Sequence, residues 1–121
     1  MRFACAYFRA RWFYVEKVKD REEHRGYDLI AHRAKERVTI SVKAAKCRWE
    51  IPDLTPREVT ETGRLVADLL FIACPRHKAG HVLVIPRDAI TPAHITNNEG
   101  NWSVRSTLAN RYTLRSFLHP L

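Results

Sequence analysis

The sequence predicts a mixed α/β domain built on one central β-sheet, and three observations predict it. Val38, Ile40 and Val42 alternate with Thr39, Ser41 and Lys43, the period of a strand with one face against a core. Two later runs, Asp68 to Cys74 and His81 to Ile85, are largely apolar and each stops at a proline. Central strands covered on both faces read this way. Between the alternating strand and these runs stands Thr55-Pro56-Arg57-Glu58, which carries an N-cap, a proline at the first helical position and an acid three residues after the cap.

A chain of 121 residues with 45% hydrophobic content holds one domain and one core; the expected domain is 1–121. No run of about 18 apolar residues occurs, so no membrane span is expected. Met1 to Tyr14 lacks the charged, apolar and small-residue zones of a signal peptide, and the expected location is cytoplasmic. The cysteines, Cys5, Cys47 and Cys74, are odd in number and scattered. They read as buried thiols in a reducing compartment and not as a disulfide framework. A formal net charge of +8 favours an anionic partner, nucleic acid first, with a basic surface that has no specific partner as the plain alternative.

Taken in order, Phe3 to Ala10 reads as a short helix and Trp12 to Val15 as the start of a strand. Lys17 to Arg25 is a dense charged segment, an exposed turn or frayed helix, closed by Gly26. Gly26 to Ala31 and Arg37 to Lys43 are two strands around a charged turn, His32 to Glu36. Cys47 to Ile51 alternates again and reads as a third strand. The capped helix then runs from Thr55 to about Thr62, with Gly63 as its stop. The two apolar runs pair as an antiparallel hairpin. Asp88 to Ile90 is a short helical turn and Thr96 to Trp102 a polar loop. The tail, Val104 to Leu121, reads as a last strand or helix. There is no internal repeat.

Ser41 and Lys43 share the face of their strand opposite Val38, Ile40 and Val42. If the strand beginning at Asp28 pairs with it as a hairpin, the Asp28 carboxylate reaches that same side. An acid and a lysine on neighbouring strands make half of a phosphodiester-cleaving site. They also make an ordinary cross-strand ion pair worth about 0.2–1 kcal/mol, and the residues alone leave both readings open. Cys74-x-x-His77-x-x-x-His81 has zinc-ligand residue types but straddles a hairpin turn, where surface histidines are the simpler reading. Trp12, Trp49 and Trp102 are candidates for stacking on bases, with core packing the better account of Trp49.

The two segments Gly26-Tyr27-Asp28-Leu29-Ile30-Ala31 and Thr39-Ile40-Ser41-Val42-Lys43 resemble the signature of the PD-(D/E)xK nuclease superfamily, whose members have the restriction-endonuclease-like fold. Ala67 to Ile72 and Val82 to Pro86 resemble the later strand pair of small, resolvase-like members. The resemblance covers roughly residues 12 to 90, leaving 91–121 as a C-terminal extension. It departs from the family pattern in two places. Ser41 stands where the central acid is expected. The leading helix, which often brings another glutamate, is short or absent, and Glu16 is its nearest substitute, ahead of Glu22 and Glu23.

The resemblance implies a DNA-cleaving domain that uses Mg²⁺ or Mn²⁺, with Asp28 as metal ligand and Lys43 as catalytic lysine. Ser41 occupies the third catalytic position with only a neutral oxygen, which lowers metal affinity unless another carboxylate, Glu50 or Glu16, restores it. Lys46 and Arg48 follow as phosphate contacts. A homodimer is implied by the need to reach two strands of a duplex. The alternative function is an inactive domain of the same fold that binds nucleic acid or a protein.

Overall fold

Alternation, continuous apolar runs and proline stops do set out a sheet here, and its axis is the longest strand. The computed structural model describes residues 2–18, 26–45, 51–73, 82–105 and 113–114. In order these form α1 (Arg2–Arg9), β1 (Tyr14–Lys17), β2 (Leu29–Arg33), β3 (Glu36–Ala44), β4 (Leu69–Ala73), β5 (Val82–Pro86), β6 (Ile95–Asn98), β7 (Asn101–Val104) and β8 (Thr113–Leu114). Short 3-10 turns at Arg87–Ala89 and Pro92–His94 link β5 to β6. The main sheet has the order β1-β2-β3-β4-β5-β8, and β6 pairs with β7 in a separate ribbon. Among the described strands only β3 and β4 pair in parallel, Ile40 opposite Leu69 and Lys43 opposite Ile72; the other neighbours are antiparallel. This is a mixed α+β fold with a central mixed sheet.

Each face of the sheet carries its own core. Helix α1 lays Ala4, Cys5, Tyr7 and Phe8 onto Leu29, Ala31, Ile40 and Phe71. Those helix positions form one stripe at helical spacing. Tyr7 meets Phe71 edge to face at 5.3 Å between ring centroids, a favoured aromatic geometry. Burial holds the Tyr7 hydroxyl above the ordinary tyrosine range, and the Arg11 guanidinium partly offsets this. On the opposite face, Leu70, Ile72, Leu83 and Ile85 pack against Leu54, Val59, Leu65, Ile90 and Ile95. Each such leucine or isoleucine contributes about 1.5–3 kcal/mol by leaving water. Both faces of β3 are therefore covered: Ser41, expected on the open side, is 0% exposed.

Several expected elements differ. Residues 55–62 form no α-helix. Thr55 to Glu58 is a single turn, after which Val59 bridges to Leu65 and Thr60 N–H donates to Arg64 O at 2.7 Å. Val59, Thr60 and Thr62 are β-branched, and with Gly63 next they give the turn nothing to propagate a helix with. Trp12 and Phe13 belong to the turn after α1, and the strand starts at Tyr14. Thr96 to Trp102, expected as a loop, lies in the β6–β7 hairpin, whose turn places Glu99 and Gly100 at positive φ to match the twist of the strands. Ile51 lies outside any strand. The rest of that expected third strand, with Cys47 and Trp49, lies outside the described residues. So do residues 19–25, the Cys74/His77/His81 group and most of the tail.

Candidate active site

Asp28 stands at the entrance to β2. Its N–H donates to Ile40 O at 2.9 Å and its carbonyl accepts Val18 N–H at 3.0 Å, so β1 and β3 fix its backbone from either side. The carboxylate turns along β3, where Oδ2 accepts the Val42 N–H at 2.8 Å. The next residue on β3 is Lys43. Asp28 and Lys43 line one cleft of about 530 Å³ together with Gly26, Tyr27, Val42, Thr55, Pro56, Arg57 and Glu58, a size common among ligand sites.

The far wall of that cleft is the chain that crosses from β3 to β4. Lys43 Nζ donates to Glu58 Oε1 at 2.6 Å, and the two side chains are 18% and 12% exposed. The same oxygen accepts the Thr55 N–H at 2.8 Å, while Glu58 N–H returns to Thr55 O at 3.0 Å. The signature that promised a helix thus forms its first turn, with the acid capping it. No hydrogen bond from the described residues reaches Asp28 Oδ1 or Glu58 Oε2.

Ser41 lines no part of the cleft. It is fully buried, and its hydroxyl donates to Gly26 O at 2.7 Å. Gly26 in turn lies so close to the crossing chain that a Cβ there would stand 2.2 Å from Arg57 O. Glu16 lies on exposed β1, where its carboxylate meets His32 Nε2 at 3.3 Å, and it does not line the cleft. Asp68, the other acid beside β3, accepts the Thr39 N–H and hydroxyl at 2.9 and 3.1 Å and pairs with Arg87 at 3.4 Å. Glu50, Lys46 and Arg48 lie outside the described residues, as do Glu22 and Glu23.

Sequence reasoning gave Glu58 only a capping role. Its proximity to Lys43 depends on the path of an aperiodic crossover, for which the sequence has no pattern. Among the described residues no three metal-ligating side chains cluster, so the carboxylates this cleft offers a cation are Asp28 and Glu58. Mg²⁺ is commonly held by one or two carboxylates, with water and substrate phosphate completing its shell. Two carboxylates, each with an oxygen that takes no hydrogen bond from the described residues, fit that demand. Among the described residues the cleft's side chains also balance in charge, Asp28 and Glu58 against Lys43 and Arg57. A phosphate entering beside the carboxylates needs added positive charge there.

No protein-family model matches this sequence, and no curated protein matches it. Among solved structures, the 1.6 Å structure of Hjc from Archaeoglobus fulgidus, a Holliday junction resolvase from an archaeal hyperthermophile, matches with a TM-score of 0.56. The identity is 16%, over 98% of this chain and 96% of that one. At that identity the likeness speaks for the fold: the chain has the restriction-endonuclease-like fold.

Proposed function

We propose that this chain is a divergent metal-dependent nuclease acting on DNA, with branched DNA as the substrate form its structural neighbour suggests. The observation that carries the reading is the meeting of Asp28 and Lys43 in one cleft, delivered there by the β2–β3 pairing. Hydrolysis joins the oxygen of a water to phosphorus and releases a sugar oxygen. Asp28 would hold a divalent cation, which would supply charge neutralisation and a more acidic water. Lys43 orients that water and offsets charge developing on the phosphoryl oxygens. Arg57, exposed at the rim, meets the phosphate of an adjoining nucleotide. One cleft cuts one strand, so the reading pairs two copies of a single-domain chain across a duplex or junction.

The test is cleavage of duplex, single-stranded and four-way-junction DNA with Mg²⁺ or Mn²⁺. Wild type is expected to cut, and Asp28→Ala and Lys43→Ala to lose about a hundredfold or more in rate. Equal background cleavage by wild type and Lys43→Ala ends the nuclease reading.

One observation favours the second reading, a non-catalytic domain that binds nucleic acid: Lys43 is already engaged by Glu58 at 2.6 Å. That reading expects DNA binding that needs no metal and leads to no cleavage. Binding lost on chelating the metal counts against it.

A further inference from the structure

We infer that Glu58 supplies the carboxylate missing from position 41, serving with Asp28 as a ligand for the divalent cation. The inference rests on the nuclease reading and names a residue that reading does not need.

Position 41 cannot present an acid to the cleft, because its side chain is 0% exposed and its hydroxyl is spent on Gly26 O. The chain pressed against Gly26 at Arg57 is the chain that carries Glu58. The segment packed against Gly26, whose carbonyl holds Ser41, therefore brings its own carboxylate to the same cleft. Glu58 itself sits in a demanding place. The residue is only 9% exposed, so its charge is costly to hold there without partners. Lys43 and the Thr55 N–H both engage Oε1, and Oε2 takes no hydrogen bond from the described residues. Of the described acids, Asp28 and Glu58 line the cleft and the others do not; Glu16 is engaged by His32 and Asp68 by Thr39 and Arg87.

The competing role for Glu58 is purely structural, as cap of the Thr55 turn. Glutamine caps as glutamate does, since its amide oxygen also accepts the N–H. Glu58→Gln therefore keeps the cap and removes the charge, while Glu58→Asp keeps the charge and shortens the reach.

The experiment measures Mn²⁺ binding calorimetrically on the full chain for wild type, Asp28→Asn, Glu58→Gln and Glu58→Asp, with junction cleavage in parallel. Glu58→Gln is expected to bind Mn²⁺ at least tenfold more weakly than wild type and to lose cleavage to the same degree as Asp28→Asn. Glu58→Asp is expected to fall between. A side-chain carboxyl ¹³C titration of wild type with Mg²⁺ needs no variant, and Asp28 and Glu58 are expected to shift with one common midpoint. If Glu58→Gln binds Mn²⁺ and cleaves as wild type does while Asp28→Asn does neither, Glu58 is only a cap and the nuclease reading stands. A Glu58 carboxyl that stays still while that of Asp28 shifts has the same consequence. If wild type neither binds Mn²⁺ nor cleaves, the nuclease reading and this inference both fall.

Discussion

At the scale of single residues, the cleft depends on a position with no side chain. Gly26 takes φ +84°, and a Cβ there would lie 2.2 Å from Arg57 O and 3.2 Å from Val66 Cβ. Gly26→Ala therefore imposes a left-handed backbone on an L-residue and forces two pieces of backbone apart. The expected loss of stability is about 2–4 kcal/mol, read from urea unfolding, and Mn²⁺ affinity falls with it because the wall carrying Glu58 moves. A loss under about 0.5 kcal/mol, the range of ordinary surface changes, means that the two segments do not touch in solution. Asp28 and Lys43 were legible in the sequence because strand geometry is repetitive: alternation sets a face, and antiparallel pairing sets who is opposite. Glu58 was legible only as a cap, a local relation spanning three residues. Its meeting with Lys43, fifteen positions away in the sequence, is a tertiary event with no periodic signal.

Among the elements, α1 ends in a Schellman motif. Phe13 N–H donates to Phe8 O and Trp12 N–H to Arg9 O, both at 3.1 Å. The Phe8 and Phe13 rings meet edge to face at 5.7 Å, which is the apolar contact this motif favours. The residue in the left-handed position is Trp12, at φ +68° and 87% exposed, where glycine is usual. Trp12→Gly relieves about 1–2 kcal/mol of backbone strain and gives back about 0.5–1 kcal/mol through the freer unfolded chain. A net gain of about 0.5–1 kcal/mol is expected, seen as a rise of a few degrees in Tm by calorimetry. A fall in Tm means that the indole's contact with the groove formed by Tyr7, Phe8, Arg11 and Phe13 outweighs the strain. Strands β2 to β5 and the antiparallel β4–β5 pairing followed from apolar patterning. The crossover helix did not, because a sound N-cap starts a helix but Val59, Thr60, Thr62 and Gly63 do not continue one. The β6–β7 ribbon escaped notice because its strands, Ile-Thr-Asn-Asn and Asn-Trp-Ser-Val, carry little apolar alternation.

For the whole molecule, one sheet buried on both faces leaves little polar surface inside, and none of the described lysines and arginines is buried. Against 21 lysines and arginines stand 13 acids, and among the described residues the cleft is balanced by Lys43 and Arg57 against Asp28 and Glu58. The described side chains of the cleft therefore carry none of the net +8; on the proposed reading that charge acts on DNA through backbone phosphates and not in the chemistry. Binding and cutting then respond to different variables. Affinity for a four-way junction, followed by fluorescence anisotropy in EDTA, is expected to fall log-linearly with salt. Each phosphate neutralised adds about 0.9 to the slope on duplex arms. Asp28→Asn is expected to leave that slope unchanged while abolishing cleavage, whereas Arg57→Glu lowers the slope by about 1 if Arg57 meets a phosphate. A slope near zero would show that the excess charge never engages a nucleic-acid backbone. The restriction-endonuclease-like fold would then serve a protein partner, since a surface of this charge density cannot bind DNA without releasing counterions.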